Sequence, residues 1–329
     1  MTAHPRTGSS EPEIGFQPPY DFGVWGRWGV QLASPPADVV AVLKEDVRWS
    51  DPWACGTFAE LKAAALWIVL SRVNDTDEDV LSTVESAYSE VWEYPDHLVL
   101  ALRLAAPGWL GRGSIVVLDP GQPSPWFIEA NSWPLQPPWP LPPRRALDGL
   151  LPERYAWHRY ELTEETLSTA AGVFALLTAS DFPGYLGLPL ARFAQSYEEF
   201  GHAADDRLLK LMIALEGMLL PAYIDGARSV LASRTATLVG PGVLATPIEP
   251  AVKHWYDGRS DIAHGRAPKF ARPIVQEVSE LELVVRAGLR RALERCAPTA
   301  ESLRTDLDTP QRLNHRETTE RLDLRRTWL

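Results

Sequence analysis

DDRLLKLMIALEGMLL, residues 205–220, decides the fold of the second half of this chain. Leu208, Leu209, Met212, Leu215 and Leu219 recur at the three- and four-residue spacing that lines one side of an α-helix. Asp205 stands where a cap carboxylate accepts from the first unpaired amides, so a helix is predicted over Asp206–Leu220. The same signals repeat outward from it. Thr163, followed by Glu164 and Glu165, opens a helix to about Thr178. Pro189 starts another that reaches about Phe200. A helix over Ala227–Leu238 ends at Gly240-Pro241-Gly242. Pro250 suits the first turn of the next, which runs to His264 and stops at Gly265, where a left-handed residue closes a helix. Pro273 opens the last, to about Cys296, with Ile274, Val278, Leu281, Val285 and Leu289 as its inner stripe. Residues 154–297 therefore read as a helical bundle. Residues 298–329 read as a charged, partly helical tail, with six Arg against five acidic residues after position 303.

Upstream the pattern changes. WPLQPPWPLPP, residues 133–143, has six prolines in eleven positions, which excludes helix and central strand and marks residues 133–153 as a linker. Residues 21–132 read as an α+β domain. A capping box, Thr57 with Glu60, opens a helix through about Val73, and a second helix covers Asp77–Trp92. Strands are predicted at Leu98–Leu104, Ser114–Asp119 and Trp126–Ala130, with a further one, interrupted by three glycines, at Phe22–Leu32. Residues 1–20 read as a disordered leader. Ten of the thirteen tryptophans lie before residue 140, and core filling accounts for them more simply than a ligand platform. The fold class is thus an α+β N-terminal domain followed by an all-α bundle.

Composition bounds the function. A chain of 329 residues, 45% apolar and 23% charged, holds enough core for two domains and is not disordered as a whole. The longest apolar run, Ala63–Leu70, is well short of the ~18 residues of a membrane helix, so a cytoplasmic protein with no membrane partner is expected. Cys55 and Cys296 are too few for a disulfide framework or a metal site, and no metal or cofactor is expected. The net charge of −11 argues against a protein that coats duplex nucleic acid. Residues 1–150 hold 10 Lys and Arg against 19 Asp and Glu, whereas Lys253–Arg272 has five Lys and Arg against two Asp. That stretch is a local basic patch.

Within it lies the densest polar cluster of the helical half, WYDGRSDIAHG, residues 255–265. Five helical positions rotate by roughly 500°, which sets Arg259 and His264 about 140° apart, flanking one helix end. His264 falls at the predicted carboxyl terminus, where the helix dipole favours the protonated ring and suits an acid or base. A fixed guanidinium at Arg259 suits a phosphate. On spacing alone the simpler reading is that Arg259 pairs with Asp261, Asp257 or Glu216 while His264 merely caps the helix. The solitary His158, His202 and His254 have no such pattern around them.

Residues 185–295 resemble an ApeA-like HEPN domain. The resemblance rests on Arg259-Ser260-Asp261-Ile262-Ala263-His264, on Ala214-Leu215-Glu216 with Met218-Leu219-Leu220, and on Ser233-Arg234-Thr235-Ala236, in the family's order. It implies a HEPN-type bundle and a metal-independent endoribonuclease acting as a homodimer in which two motifs meet. On that reading Arg259 and His264 are catalytic, the first binding the scissile phosphate and the second handling the 2′-hydroxyl or 5′-oxygen proton. A 2′,3′-cyclic phosphate results. Glu216 is a supporting residue that orients Arg259 or His264. Ser260 stands where the wider superfamily often has Asn, Asp or His; with Asp261 it is also supporting. Tyr256, Arg266 and Lys269 are candidate RNA-binding residues. Many such proteins serve in phage defence or as toxins, with an attached sensor domain and an unknown trigger or antitoxin. The alternative is a non-catalytic HEPN dimerisation module that binds a nucleotide or a protein.

Overall fold

A computed structural model describes residues 20–25, 28–33, 67–72, 96–107, 115–117, 126–129, 162–197, 204–221 and 224–309. These residues are mostly helical. Strands β1 (Tyr20–Trp25), β2 (Trp28–Ala33) and β3 (Trp67–Arg72) form an antiparallel sheet in the order β1-β2-β3. The register pairs Trp25 with Trp28 and Ala33 with Trp67, and a bulge falls between Asp21 and Gly23. Helix α1 covers residues 96–105. Strands β4 (Ile115–Val117) and β5 (Trp126–Glu129) pair with each other.

The helical half follows. It comprises α2 (Glu164–Leu177), a 3₁₀ turn at Gly184–Leu186, α3 (Gly187–Gln195), α4 (Ala204–Leu219) and α5 (Ala227–Val239). Then come α6 (Ile248–Ala263), α7 (Ile274–Arg295) and α8 (Ala300–Asp308). Helix α4 is the hub, packing against α3, α5, α6, α7 and α8. Its buried face is Leu208, Leu211, Met212, Ala214, Leu215, Met218 and Leu219; Leu209, predicted on this face, is only half-buried, and Leu211, Ala214 and Met218 widen the face on the other flank. Val278, Leu281, Val285 and Leu289 line the inner side of α7 as their spacing requires. Thr163 caps α2 by accepting from Thr166 N–H at 3.1 Å. Cys296 closes α7 in a left-handed conformation, φ 48°, with its thiol bonded to Leu293 O.

Two elements differ from their predicted type. Trp67–Arg72, expected as the end of a helix, is a strand. Its aromatic and β-branched side chains suit a pleated surface, and pairing with β2 overrides the local helical pattern. Conversely, Leu98–Leu104, expected as a strand, lies in α1. Every residue from Leu98 to Leu104, Arg103 included, is buried, so a helix covered all round shows the same unbroken apolar run as a buried strand. Phe22–Leu32, expected as one interrupted strand, is the β1–β2 hairpin. The tail expected to be solvated begins with α8, which has a full capping box at Thr299 and buries Leu303 and Leu307. The predicted helix at Asp77–Trp92, the proline-rich stretch 133–143, Cys55 and positions 310–329 lie outside the described residues.

Residues of β1 and β2 share one apolar core with the helices. Phe22, Val30 and Leu32 belong to it, and the Phe22 ring meets Phe174 of α2 edge-on at 6.1 Å. Burying each such side chain contributes roughly 1.5–3 kcal/mol. A buried polar network fastens α1 to the bundle. Arg286 donates to Arg103 O at 2.8 Å and to the Tyr197 hydroxyl at 2.8 Å, and also pairs with Glu282. Tyr197 in turn donates to Glu282 at 2.7 Å, and Arg207 pairs with the other carboxylate oxygen at 2.7 Å. Arg103 lies over the Tyr197 ring, 4.7 Å from its centre. Burial alone would push the Glu282 carboxyl up, but Arg286 and Arg207 hold it below the ordinary carboxylate range. Among the described residues no helix is long and apolar enough to cross a membrane.

Candidate functional site

Helix α6 carries the polar cluster because one of its sides is anchored in the core. Val252, Trp255 and Gly258 are buried at three-residue intervals. The Trp255 indole N–H donates to Glu277 of α7 at 2.8 Å, which fixes the rotation of α6 about its axis. Burial alone would raise the Glu277 carboxyl, but hydrogen bonds from Arg272 and Trp255 bring it below the ordinary range. With Trp255 inward, Arg259 faces α4 and donates to Glu216 Oε2 at 3.1 Å. The pair is half-buried, with 31% of the Arg259 side chain and 20% of that of Glu216 exposed. The second Glu216 oxygen and Arg259 Nε are buried with no hydrogen-bond partner. Burial raises the Glu216 carboxyl, and the facing guanidinium opposes that rise.

The carboxyl end of α6 is closed as the glycine predicted. His264 is the cap residue, Gly265 is left-handed at φ 69°, Gly265 N–H reaches Ile262 O and Arg266 N–H reaches Asp261 O, each at 2.8 Å. These two bonds are the paired closure of a Schellman motif. His264 is exposed at the point where the chain turns. Its backbone N–H is shared between Ser260 O and Asp261 O.

The structure thus joins Arg259 to Glu216, 43 positions away in sequence. The other two partners left open by the spacing are engaged elsewhere. Asp257 takes Arg228 at 2.6 Å, and Asp261 takes Arg266 Nε at 3.3 Å. Ser260 is half-buried, and its carbonyl accepts from the His264 backbone N–H at 3.2 Å. Tyr256 packs partly against the core, so only part of its ring is free for stacking. Arg266 and Lys269 are exposed on the segment after His264. Among the described residues no group of three or more His, Cys, Asp or Glu could hold a metal ion.

Sequence reasoning passed over the neighbours that shape this helix end. Phe270 covers Gly258, His254 meets the same ring edge-on at 4.9 Å, and its Nε2 lies 3.8 Å from Glu277. Arg272 forks onto Glu277 at 2.9 and 3.0 Å and onto Glu280 at 2.6 and 2.8 Å. One signal was present: Gly258 is an isolated glycine inside a helical pattern, and such a residue usually has a packing reason. No family model, curated protein or solved structure matches the chain.

Proposed function

We propose that this chain is a HEPN-type, metal-independent endoribonuclease that uses Arg259 and His264 on one RNA phosphate. The observation that carries the reading is the pairing of a held but reachable guanidinium with an exposed imidazole on one helix end. Arg259 is fixed by Glu216 yet keeps 31% of its side chain exposed, and His264 caps the same helix. A guanidinium so placed offers charge and fixed donors to the non-bridging phosphate oxygens. In the reaction, the 2′-hydroxyl loses its proton and its oxygen bonds to phosphorus. The P–O5′ bond breaks, and the 5′-oxygen takes up a proton. The products are a 2′,3′-cyclic phosphate and a 5′-hydroxyl, and His264 is the group that takes or returns the proton. Two copies of the chain supply two such motifs to one cleft, as the family resemblance implies. The N-terminal segment then serves as the sensor of a defence or toxin effector.

A second reading draws on the same ion pairs. Arg259, Arg266 and Arg228 each already face a carboxylate, which suits a HEPN-type module that binds a nucleotide or protein partner without cutting. Incubating the full chain with total RNA in EDTA separates the two. The ribonuclease reading expects fragments ending in cyclic phosphate. Intact RNA in that assay, together with unaltered RNA in cells expressing the chain, would favour the binding module.

A further inference from the structure

The segment that joins α6 to α7, residues 264–273, is tied down at three points. At its start the left-handed Gly265 and the bonds from Gly265 N–H and Arg266 N–H close α6 immediately after His264. At its end Arg272 forks onto Glu277 and Glu280 at the beginning of α7. Between them Phe270 folds back across α6. A Cβ built on Gly258 would stand 2.1 Å from Phe270 Cζ and 2.4 Å from Cε1, distances real atoms do not adopt. His254, one turn before Gly258 on the same face of α6, meets the same ring at 4.9 Å between ring centres. A glycine inside a helix weakens it, and the ring of Phe270 is the physical reason for one here.

We infer that residues 264–273 form a strap, buckled by Phe270 on Gly258, that holds the last turn of α6 and so fixes where the His264 imidazole stands relative to Arg259. Phe270 and Gly258 are positioning residues and touch no reacting atom. Helix ends fray because their last carbonyls lack partners, and a histidine on a fraying turn samples many positions. The buckle opposes this one residue before Arg259, and with the closure at Gly265 it brackets the last turn and a half or so of α6, which carries both groups. The catalytic part of this inference rests on the ribonuclease reading; the mechanical part stands on the contacts alone.

The experiment uses the full-length chain and three variants: Phe270→Ala, Gly258→Ala and the double variant. Cooperative thermal unfolding is verified first. Amide hydrogen exchange of Gly265 and Arg266 and the ring resonances of His264 are then followed by NMR. Cleavage of a fluorophore-quencher single-stranded RNA supplies kcat and KM. The strap predicts faster exchange at Gly265 and Arg266 in Phe270→Ala, a shifted and broadened His264 ring signal, and unchanged protection in α4. It also predicts a fall in kcat of about tenfold or more with KM little altered, since misplacing a proton-transfer group affects the chemical step. Gly258→Ala behaves like Phe270→Ala, and adding it to Phe270→Ala brings no further loss, because the ring it displaces is already gone and alanine only favours the helix. Unchanged exchange and unchanged His264 signals in Phe270→Ala overturn the strap, whatever the activity. Faster exchange with kcat intact overturns its positioning role. If the wild type cuts no RNA either in this assay or in cells, the ribonuclease reading falls by itself, and the exchange and His264 signals still decide whether the buckle holds the helix end.

Discussion

Arg259 and Glu216 meet at 3.1 Å across the α4–α6 interface through one hydrogen bond, although a guanidinium and a carboxylate can form two. Arg259 Nε and the other Glu216 oxygen stay buried and unpaired. The pair therefore holds Arg259 to α4 through a single donor.

Removing the cation should reveal itself in the pH dependence of stability. Glu216 already titrates above the ordinary carboxylate range because it is buried, and Arg259 restrains that rise. In Arg259→Ala the carboxyl climbs further. A raised native value favours the protonated, low-pH form, so the stability it contributes is complete below the unfolded value (~4.3) and is lost as pH rises through the native one. Thermal unfolding of Arg259→Ala between pH 4 and 7 should decline more steeply with rising pH than that of the wild type. Parallel curves would show that Glu216 does not depend on Arg259.

The docking of α8 predicts the opposite sign. Asp308 accepts from Arg234 at 2.6 and 2.9 Å, and those hydrogen bonds hold its carboxyl below the ordinary range. The stability it contributes is present above the unfolded carboxylate value (~3.9) and disappears as pH falls through the native one. Arg234 itself is only 8% exposed and also donates to Leu219 O at 2.6 Å. Asp308→Asn should cost about 1 kcal/mol at pH 7, a modest figure because the carboxylate is half-exposed, and should flatten the acid limb of the stability curve. Urea titrations at pH 7 and pH 3 measure both effects.

Much of this architecture was legible in the sequence, and the failures share a cause. Thr163, Gly240 and Gly265 end or begin helices where their backbone chemistry says they should, because caps are decided within one turn. Trp67–Arg72 and Leu98–Leu104 take the type opposite to the one their local pattern suggests, because an unbroken apolar run fits helix and strand alike and distant neighbours decide its conformation. The site divides in the same way. Arg259 and His264 stand out by local spacing, and Glu216 by its place in the resemblance. Phe270, His254 and the Arg272–Glu277 fork could be found only once the chain after Gly265 had folded back on α6.

The polar network under α1 should matter for stability and not for chemistry. Tyr197→Phe deletes the hydroxyl that donates to Glu282 and accepts from Arg286, leaving a buried guanidinium short of an acceptor. A loss of about 1–3 kcal/mol is expected by urea denaturation, with RNA cleavage by the folded variant unchanged. A loss of cleavage in a variant of full stability would instead place this network in the site.

The most direct test of the central claim compares wild type, Arg259→Ala and His264→Ala on a tRNA pool in EDTA, each first shown to be folded by its unfolding transition. The account predicts cleavage by the wild type, leaving 2′,3′-cyclic phosphate ends, and a loss of about 10²-fold or more in each variant, the scale expected when a proton-transfer or charge-stabilising group is removed. Cleavage that persists at the wild-type rate in either variant would contradict it.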